Sequence, residues 1–511
     1  MKMRTYLPIA ALAAGGVAVT AAMPASAYTT DVKRYARGVG NQYNFAPLLS
    51  AGDRLRHTTN SNLRYQMVGI PDGLGITKLA DGTAKIYMNH ELGNTVLSEP
   101  EIGGPLQRGS FVSALTLNGR GEVVSGERAF DTVYDENRYV GRAATEHNNT
   151  PGFGRFCSAT LVGAAEGMDR NIFLTNEESA GASPDYEAGF TFDKRGGSTV
   201  AVFDNQAHAL PRLGHFPKEN SAVAPNTGDR TVVISLEDGP ESPDSQLYMY
   251  VGHKNRTASS VLRRNGLDNG KLYVFASTTA GKTSEVNFRN GSIDGHWVEI
   301  PDAESLSDIQ LEKVSDRKGA FGFVRLEDGT FNPARPGEFF FNSTGGAEGN
   351  LLGRGYRLTL NDGDPTGSAR LSIIFNTEQL VARGMDAPVS PDNIGINGSF
   401  LTIQEDPTTF GREALAKLGR DSSVWRYNLN NLAVSPERFP GARVGVVNDP
   451  GRDGVPVPPG SWETSGIVAA ESVFGQGSWI LDVQAHAPTT PPGRNTVEDG
   501  QLLVMRPQAG G

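Results

Sequence analysis

Six stretches of this chain end alike, in a run of β-forming residues that delivers a carboxylate. They are Ile86 to Glu91, Ile172 to Glu178, Val232 to Asp238, Phe323 to Asp328, Leu401 to Asp406 and, shortest, Ser461 to Glu463. Glu91, Glu177, Glu237, Glu327, Glu405 and Glu463 follow one another at intervals of 58 to 90 residues. That spacing is too irregular for a short-motif solenoid but suits propeller blades with variable loops. If each run is the innermost strand of a blade, six carboxylate-bearing ends converge on one axis, where uncompensated negative charge repels strongly. Something positive must sit there, and calcium, with about six to eight hard oxygen ligands, would offset several carboxylates together. The bland alternative, a solvated acidic turn after each strand, is the better reading of any single run but a poorer reading of six.

Cys157 is the only cysteine, so no intrachain disulfide forms, and outside the cell its thiol is open to oxidation unless something protects it. Burial as a small apolar side chain and ligation to a metal would each do so. The eight histidines form no His-Glu-x-x-His pattern, and the chain has neither a Gly-x-Ser-x-Gly elbow nor a Walker loop, so zinc-protease, serine-hydrolase and P-loop chemistry have no local support. Pro71-Asp72-Gly73 and Pro391-Asp392-Asn393 read as turns, with calcium ligation by their aspartates as the alternative, and Trp462 as core packing.

The elements that must position these residues are strands. A chain of 511 residues, 38% hydrophobic and 20% charged, is long enough for a large core. Its 62 glycines and 30 prolines favour tight turns over long helices. From Ala84 onward short β-forming runs alternate with Gly, Asn, Asp or Pro, among them Gly322 to Arg325. The clearest helix is expected over Thr408 to Leu418, with Gly419 at its C-terminal cap. The expected fold is all-β: a six-bladed β-propeller with a metal cluster in its central channel and a few short helices in loops.

Residues 1–27 read as an export signal: Lys2 and Arg4, an apolar stretch from Leu7 to Met23, then Ala25-Ser26-Ala27 before Tyr28. An N-terminal arm over 28–49 and a single propeller domain over 50–511 follow. The mature chain is expected to be secreted or periplasmic, monomeric and free of the membrane, since no later run approaches ~20 apolar residues. Losing two cations with the signal takes the formal charge from −10 to −12, which disfavours nucleic acid as a partner.

The words around the carboxylates resemble those of the PhoX-type alkaline phosphatases, exported bacterial enzymes of the six-bladed propeller class. Asn89-His90-Glu91 is similar to an early Asn-His-Glu of that family, and Cys157 followed by Thr175-Asn176-Glu177-Glu178 resembles its Cys-containing loop leading to a Thr-x-Glu-Glu strand. Gly214-His215-Phe216-Pro217-Lys218-Glu219 is similar to a Gly-Arg-Phe-x-His-Glu element. Leu236-Glu237-Asp238, Arg325-Leu326-Glu327 and Gln484-Ala485-His486 follow in the family's order.

The resemblance implies a phosphomonoesterase acting on small phosphate esters at a cluster of calcium and iron ions. By it, Cys157 ligates iron, Glu219 and Glu327 share the iron cluster and the catalytic work, and Arg325 holds phosphate. Glu177, Glu178, Glu237 and Asp238 would lie near calcium, with Glu91, Glu405 and Glu463 completing the carboxylate set. The chain departs from the family's pattern at His215 (usually Arg), Lys218 (usually His) and Asn176 (often Cys). Two other readings keep the calcium-centred propeller: a lactonase or phosphodiesterase, for which Cys157→Ala would be nearly silent, and a non-catalytic binding propeller.

Overall fold

The computed structural model describes residues 27–508 apart from 185, 240–242, 362, 433–440, 448–456 and 487–494; the export signal lies outside them, save Ala27. Strands dominate, and the innermost of them fix everything that follows: β1 (Pro71–Lys78), β2 (Phe156–Val162), β3 (Lys218–Val223), β4 (Leu326–Phe331), β5 (Pro391–Asn397) and β6 (Glu463–Ala469). Each packs beside the next, and β6 returns to β1, so they close a ring. Every one is the edge strand of a sheet that extends outward from the ring. β1, β2, β5 and β6 edge four separate sheets, and β3 and β4 are the two ends of one nine-stranded sheet. Sheets radiating from a central ring make a β-propeller.

The ring closes through both termini. Tyr43–Ser50 pairs antiparallel with Asp499–Pro507, placing it as the outer strand of the β6 sheet, and Ala36–Gly38 pairs with Ala442–Val447 in the β5 sheet. The segment read as an arm is thus built into two sheets. Between sheets the apolar faces meet in contiguous cores, such as Leu74, Ile86, Met88, Leu115, Ile480 and Leu502 where the first sheet meets the last. At ~25 cal/mol per Å² of buried apolar surface, these faces hold the sheets in register about the axis.

The inner strands share a local device. In β1 to β5 the ladder to the second strand slips within the first four residues. Such a bulge lifts side chains out of the pleat and re-aims them. In four of the six, the residue just before the strand is a non-glycine at positive φ: Ile70 (49°), Arg155 (45°), Arg325 (54°) and Ser390 (47°). The backbone carbonyl at that position accepts from the residue that follows the second strand: Glu91 to Ile70 (3.0 Å), Glu178 to Arg155 (2.9 Å), Asp238 to Pro217 (3.1 Å), Thr344 to Arg325 (2.9 Å) and Asp406 to Ser390 (3.0 Å). Left-handed backbone in non-glycine residues is strained, and the clamp holds all four of them, with Pro217 taking the same bond in an ordinary conformation.

Several expectations are corrected here. The runs ending at Glu91, Glu177, Glu237 and Glu405 are second strands, Ala84–His90, Ile172–Glu177, Arg230–Glu237 and Phe400–Glu405, each antiparallel to an inner strand. An antiparallel partner ends where the inner strand begins, so the carboxylates reach the same face by a different strand. Gly322 to Arg325 is not a strand; it leads into β4. Pro71-Asp72-Gly73 and Pro391-Asp392-Asn393 are not free turns but the bulged starts of β1 and β5. The helix is Arg412–Leu418, capped by Gly419 at φ 66° as expected, but it starts later because Gly411 takes the N-cap.

Candidate metal centre

Because the inner strands are equivalent, so are their second residues: Asp72, Cys157, Glu219, Glu327 and Asp392 each occupy position two, on β1 to β5, and Glu463 opens β6. Residues that follow the second strands, Glu91, Glu178, Asp238 and Asp406, form a rim above them. Ligand atoms of three groups approach within 4.8 Å of one another: Asp72, Glu91 and Cys157; Cys157, Glu178 and Glu219; Glu219, Glu327 and Asp392. The groups share corners at Cys157 and Glu219, so they form one continuous cluster that draws on five of the six inner strands.

The position-three residues make a polar floor. Ser158 Oγ donates to Glu219 Oε1 (2.5 Å) and accepts from Asn393 Nδ2 (2.8 Å), whose Oδ1 in turn accepts from Ser465 Oγ (3.2 Å). Asn220 donates to Asp328, which also accepts from the Ile394 amide (3.1 Å). The Cys157 thiol donates to Asp72 Oδ2 (3.0 Å), and Gln484 Nε2 bridges Asp72 (3.3 Å) and Glu91 (3.0 Å). At the mouth Arg155 reaches Glu91 (2.8 Å) and Glu178 (2.6 Å). Arg325 grips Asp238 with Nε and Nη2, both at 2.9 Å, and lies 3.4 Å from Glu327.

This cluster carries more negative charge than its arginines offset. Burial and then the neighbouring acids push the carboxyls of Asp72, Glu219, Glu327, Asp392 and Glu463 above the ordinary range. Burial and Asp72 push the Cys157 thiol up likewise. Glu219 Oε2 and Asp392 Oδ1 are buried with no hydrogen-bond donor. Orphaned buried carboxylate oxygens in a site of like charges cost several kcal/mol unless protonated or bound to a cation. The donor set fits metal: a soft thiolate on one side, hard oxygens on the other. Cys157 is indeed buried, but among carboxylates rather than apolar groups.

Not every expected ligand arrives. Glu177 accepts the amides of Gly154 (3.0 Å), Phe192 (2.8 Å) and Ser198 (3.2 Å). Glu237 accepts the amide of Gln246 (2.9 Å). Glu405 is gripped by Arg420 (2.7 Å and 2.8 Å), Trp425 Nε1 (3.0 Å) and the amides of Val389 (2.6 Å) and Ser423 (2.8 Å). All three end second strands and tie down the adjoining loops, and none belongs to the three groups. Glu463 stays near the rim, 3.6 Å from His486 Nε2. Asp72 and Asp392, expected first as turn residues and only second as calcium ligands, belong to the ligand groups; their repeated Pro-Asp pattern was the available signal. His215 (Nδ1 3.1 Å from the Leu306 carbonyl), Lys218 (over the Phe216 ring at 3.0 Å) and Asn176 (donating to the Ser158 carbonyl at 3.3 Å) also stand outside the groups.

Residues 199–407 match the family model of alkaline phosphatase PhoX. Among solved structures, PhoX of Pseudomonas fluorescens in complex with vanadate, a transition state analogue, aligns over 95% of this chain and 97% of its own, at 17% identity and a TM-score of 0.64. The NanB sialidase of Streptococcus pneumoniae aligns over 90% of this chain and 70% of its own (10% identity, TM-score 0.32). An α-L-arabinofuranosidase of Fusarium graminearum aligns over 90% and 97% (8% identity, TM-score 0.40). Likeness this slight carries no argument. No curated protein matches the chain. The β-propeller of PhoX thus spans nearly this whole chain, and residues 199–407 carry the sequence pattern of the PhoX alkaline phosphatase family.

Proposed function

We propose that this chain is an exported, metal-dependent phosphomonoesterase of the PhoX type. The observation that carries the reading is the run of three ligand groups joined at the buried Cys157 and Glu219, with a guanidinium at their mouth. Asp72, Glu91, Cys157, Glu178, Glu219, Glu327 and Asp392 would hold the ions, Glu463 and Asp238 lining them. The thiolate corner suits iron, and the all-carboxylate corner of Glu219, Glu327 and Asp392 suits calcium. When bound, these cations supply Lewis-acid polarisation of the phosphoryl oxygens.

The chain's own groups do the rest. Arg325 presents a planar fork that matches phosphate oxygens in pairs, and the Asp238 carboxylate holds it in place beforehand. Ser158 and Asn393 fix Glu219 from below. A lactonase or diesterase would leave Cys157 without a role, which is why the phosphatase is favoured. The same reading counts the nine-stranded sheet as two blades joined edge to edge, making six in one domain, with residues 1–27 as the signal. Among the described residues no helix is long and apolar enough to cross a membrane.

The test is turnover of an aryl phosphate by purified protein, with calcium and then after chelation, alongside elemental analysis of protein purified without added metal. Chelation should abolish turnover and calcium should restore it, fully or together with iron. Turnover unaffected by chelation, or none at all, would overturn the proposal.

A further inference from the structure

Arg155 occupies the place before β2 that Arg325 occupies before β4, two inner strands along the ring. The likeness goes beyond sequence position. Both have left-handed backbone, at φ 45° and 54°. The carbonyls of both accept the same clamping bond, from Glu178 and from Thr344 at 2.9 Å. Each guanidinium engages two acids of the cluster, Arg155 taking Glu91 and Glu178, Arg325 taking Asp238 and Glu327. Glu178 and Asp238 act electrostatically on both arginines, so the two share one mouth. Strained backbone in a long residue persists only where its surroundings hold it, and it gathers at working positions.

They differ in what they hold. The side chain of Arg155 is 49% exposed against 21% for Arg325. Its two carboxylates are corners of the ligand groups, Glu91 with Asp72 and Cys157, Glu178 with Cys157 and Glu219. A monovalent guanidinium therefore occupies oxygens that a cation of higher charge would claim, and it has open solvent into which to swing. We propose that Arg155 is a stand-in cation that yields Glu91 and Glu178 to metal, and then joins Arg325 as a second guanidinium holding the phosphate group of the substrate. This rests on the phosphatase reading above. It also gives a reason for a half-exposed arginine to be held in strained backbone: the strain aims its side chain over the cluster.

Two binding measurements test it, calcium titration of the chelated full-length mature protein by calorimetry, and competitive inhibition of aryl phosphate turnover by inorganic phosphate. Arg155→Gln should bind calcium several-fold more tightly, because a competitor is gone, while its inhibition constant for phosphate rises ~10-fold or more for loss of a charge-assisted, two-pronged contact. Arg155→Lys keeps the charge without the fork and should weaken phosphate by ~3-fold. A merely structural arginine would move both affinities the same way or neither. Calcium binding weakened in Arg155→Gln, or phosphate inhibition within twofold of native, overturns the proposal. Should Arg155→Gln not fold, native-like phosphate inhibition in Arg155→Lys overturns it alone. If the native protein neither hydrolyses the ester nor binds phosphate, the phosphatase reading falls, and this falls with it.

Discussion

Strip the metal from this protein and its stability should decline as the pH rises from about 6.5 to about 8, the reverse of what loaded protein should do. Asp328 shows the reasoning. Burial pushes its carboxyl from 3.8 up to about 7. A folded-state value above the unfolded one means that the native state binds the proton more tightly, so the stabilisation is complete below pH ~4 and is lost as the pH climbs through ~7. At about 1.4 kcal/mol per pH unit, that one group costs ~4 kcal/mol once ionised. A chain of this size unfolds with an entropy near 1 kcal/mol per kelvin, so the melting temperature should fall by ~4 °C for Asp328 alone. Asp72, Glu219, Glu327, Asp392 and Glu463 are displaced in the same direction and add to it. Burial holds His90 down at about 4 and His215 at about 3, so both add stability as the pH rises to ~6.5 and oppose the trend below it, while Asp169, held down at about 2, works below pH ~4. Saturating calcium should reverse the trend, because ligands must be deprotonated to bind and the ion replaces the protons. The assay is thermal unfolding of chelated and calcium-loaded protein across pH 4 to 8, with Asp328→Asn as a control that flattens the chelated curve. Parallel curves for the two forms would refute the account of this cluster as a charge-deficient cation site.

Other outcomes follow from the same geometry. Cys157→Ser, which removes the soft corner shared by two ligand groups, should lose iron and at least ~10²-fold in phosphatase turnover while circular dichroism stays native; retained iron would count against thiolate ligation. Glu405→Gln leaves the buried Arg420 with Asp386 (2.8 Å) as its remaining carboxylate, so it should destabilise by ~1–3 kcal/mol in denaturant unfolding yet leave the metal content unchanged, separating the loop-tying glutamates from the metal-binding ones. Ser158→Ala removes the 2.5 Å bond to Glu219 and leaves Asn393 Nδ2 only its longer contact to Asp72 Oδ1 (3.4 Å). The expected cost is ~1–3 kcal/mol, with weaker calcium binding read by titration; calcium affinity equal to native would show that Glu219 needs no such support.

How the chain would fold was largely legible, because strand-forming runs and turn residues are local signals. Which acids would meet was only half legible. The pairs Glu177-Glu178, Glu237-Asp238 and Glu405-Asp406 look alike in sequence, yet side chains alternate along a strand, so one residue of offset sends the first of each pair into the loop anchors and the second to the rim. His90-Glu91 divides in the same way, with His90 buried against the Gly69 carbonyl (3.0 Å) and Glu91 at the cluster. Asp72 and Asp392 read first as turn residues because a bulge at a strand start has the residues of a turn, Pro followed by Asp.

By itself, the sequence determined an all-β chain, its six acid-bearing runs, its lone thiol and its likeness to the PhoX pattern, since each follows from residue type and short spacing. Only the tertiary structure decided that position two of the inner strands, rather than the ends of the second strands, forms most of the cluster, and that Arg155 shares its mouth with Arg325. Side-chain direction at a bulge, and distance between strands tens to hundreds of residues apart in the chain, are properties of the closed ring and are written in no single segment.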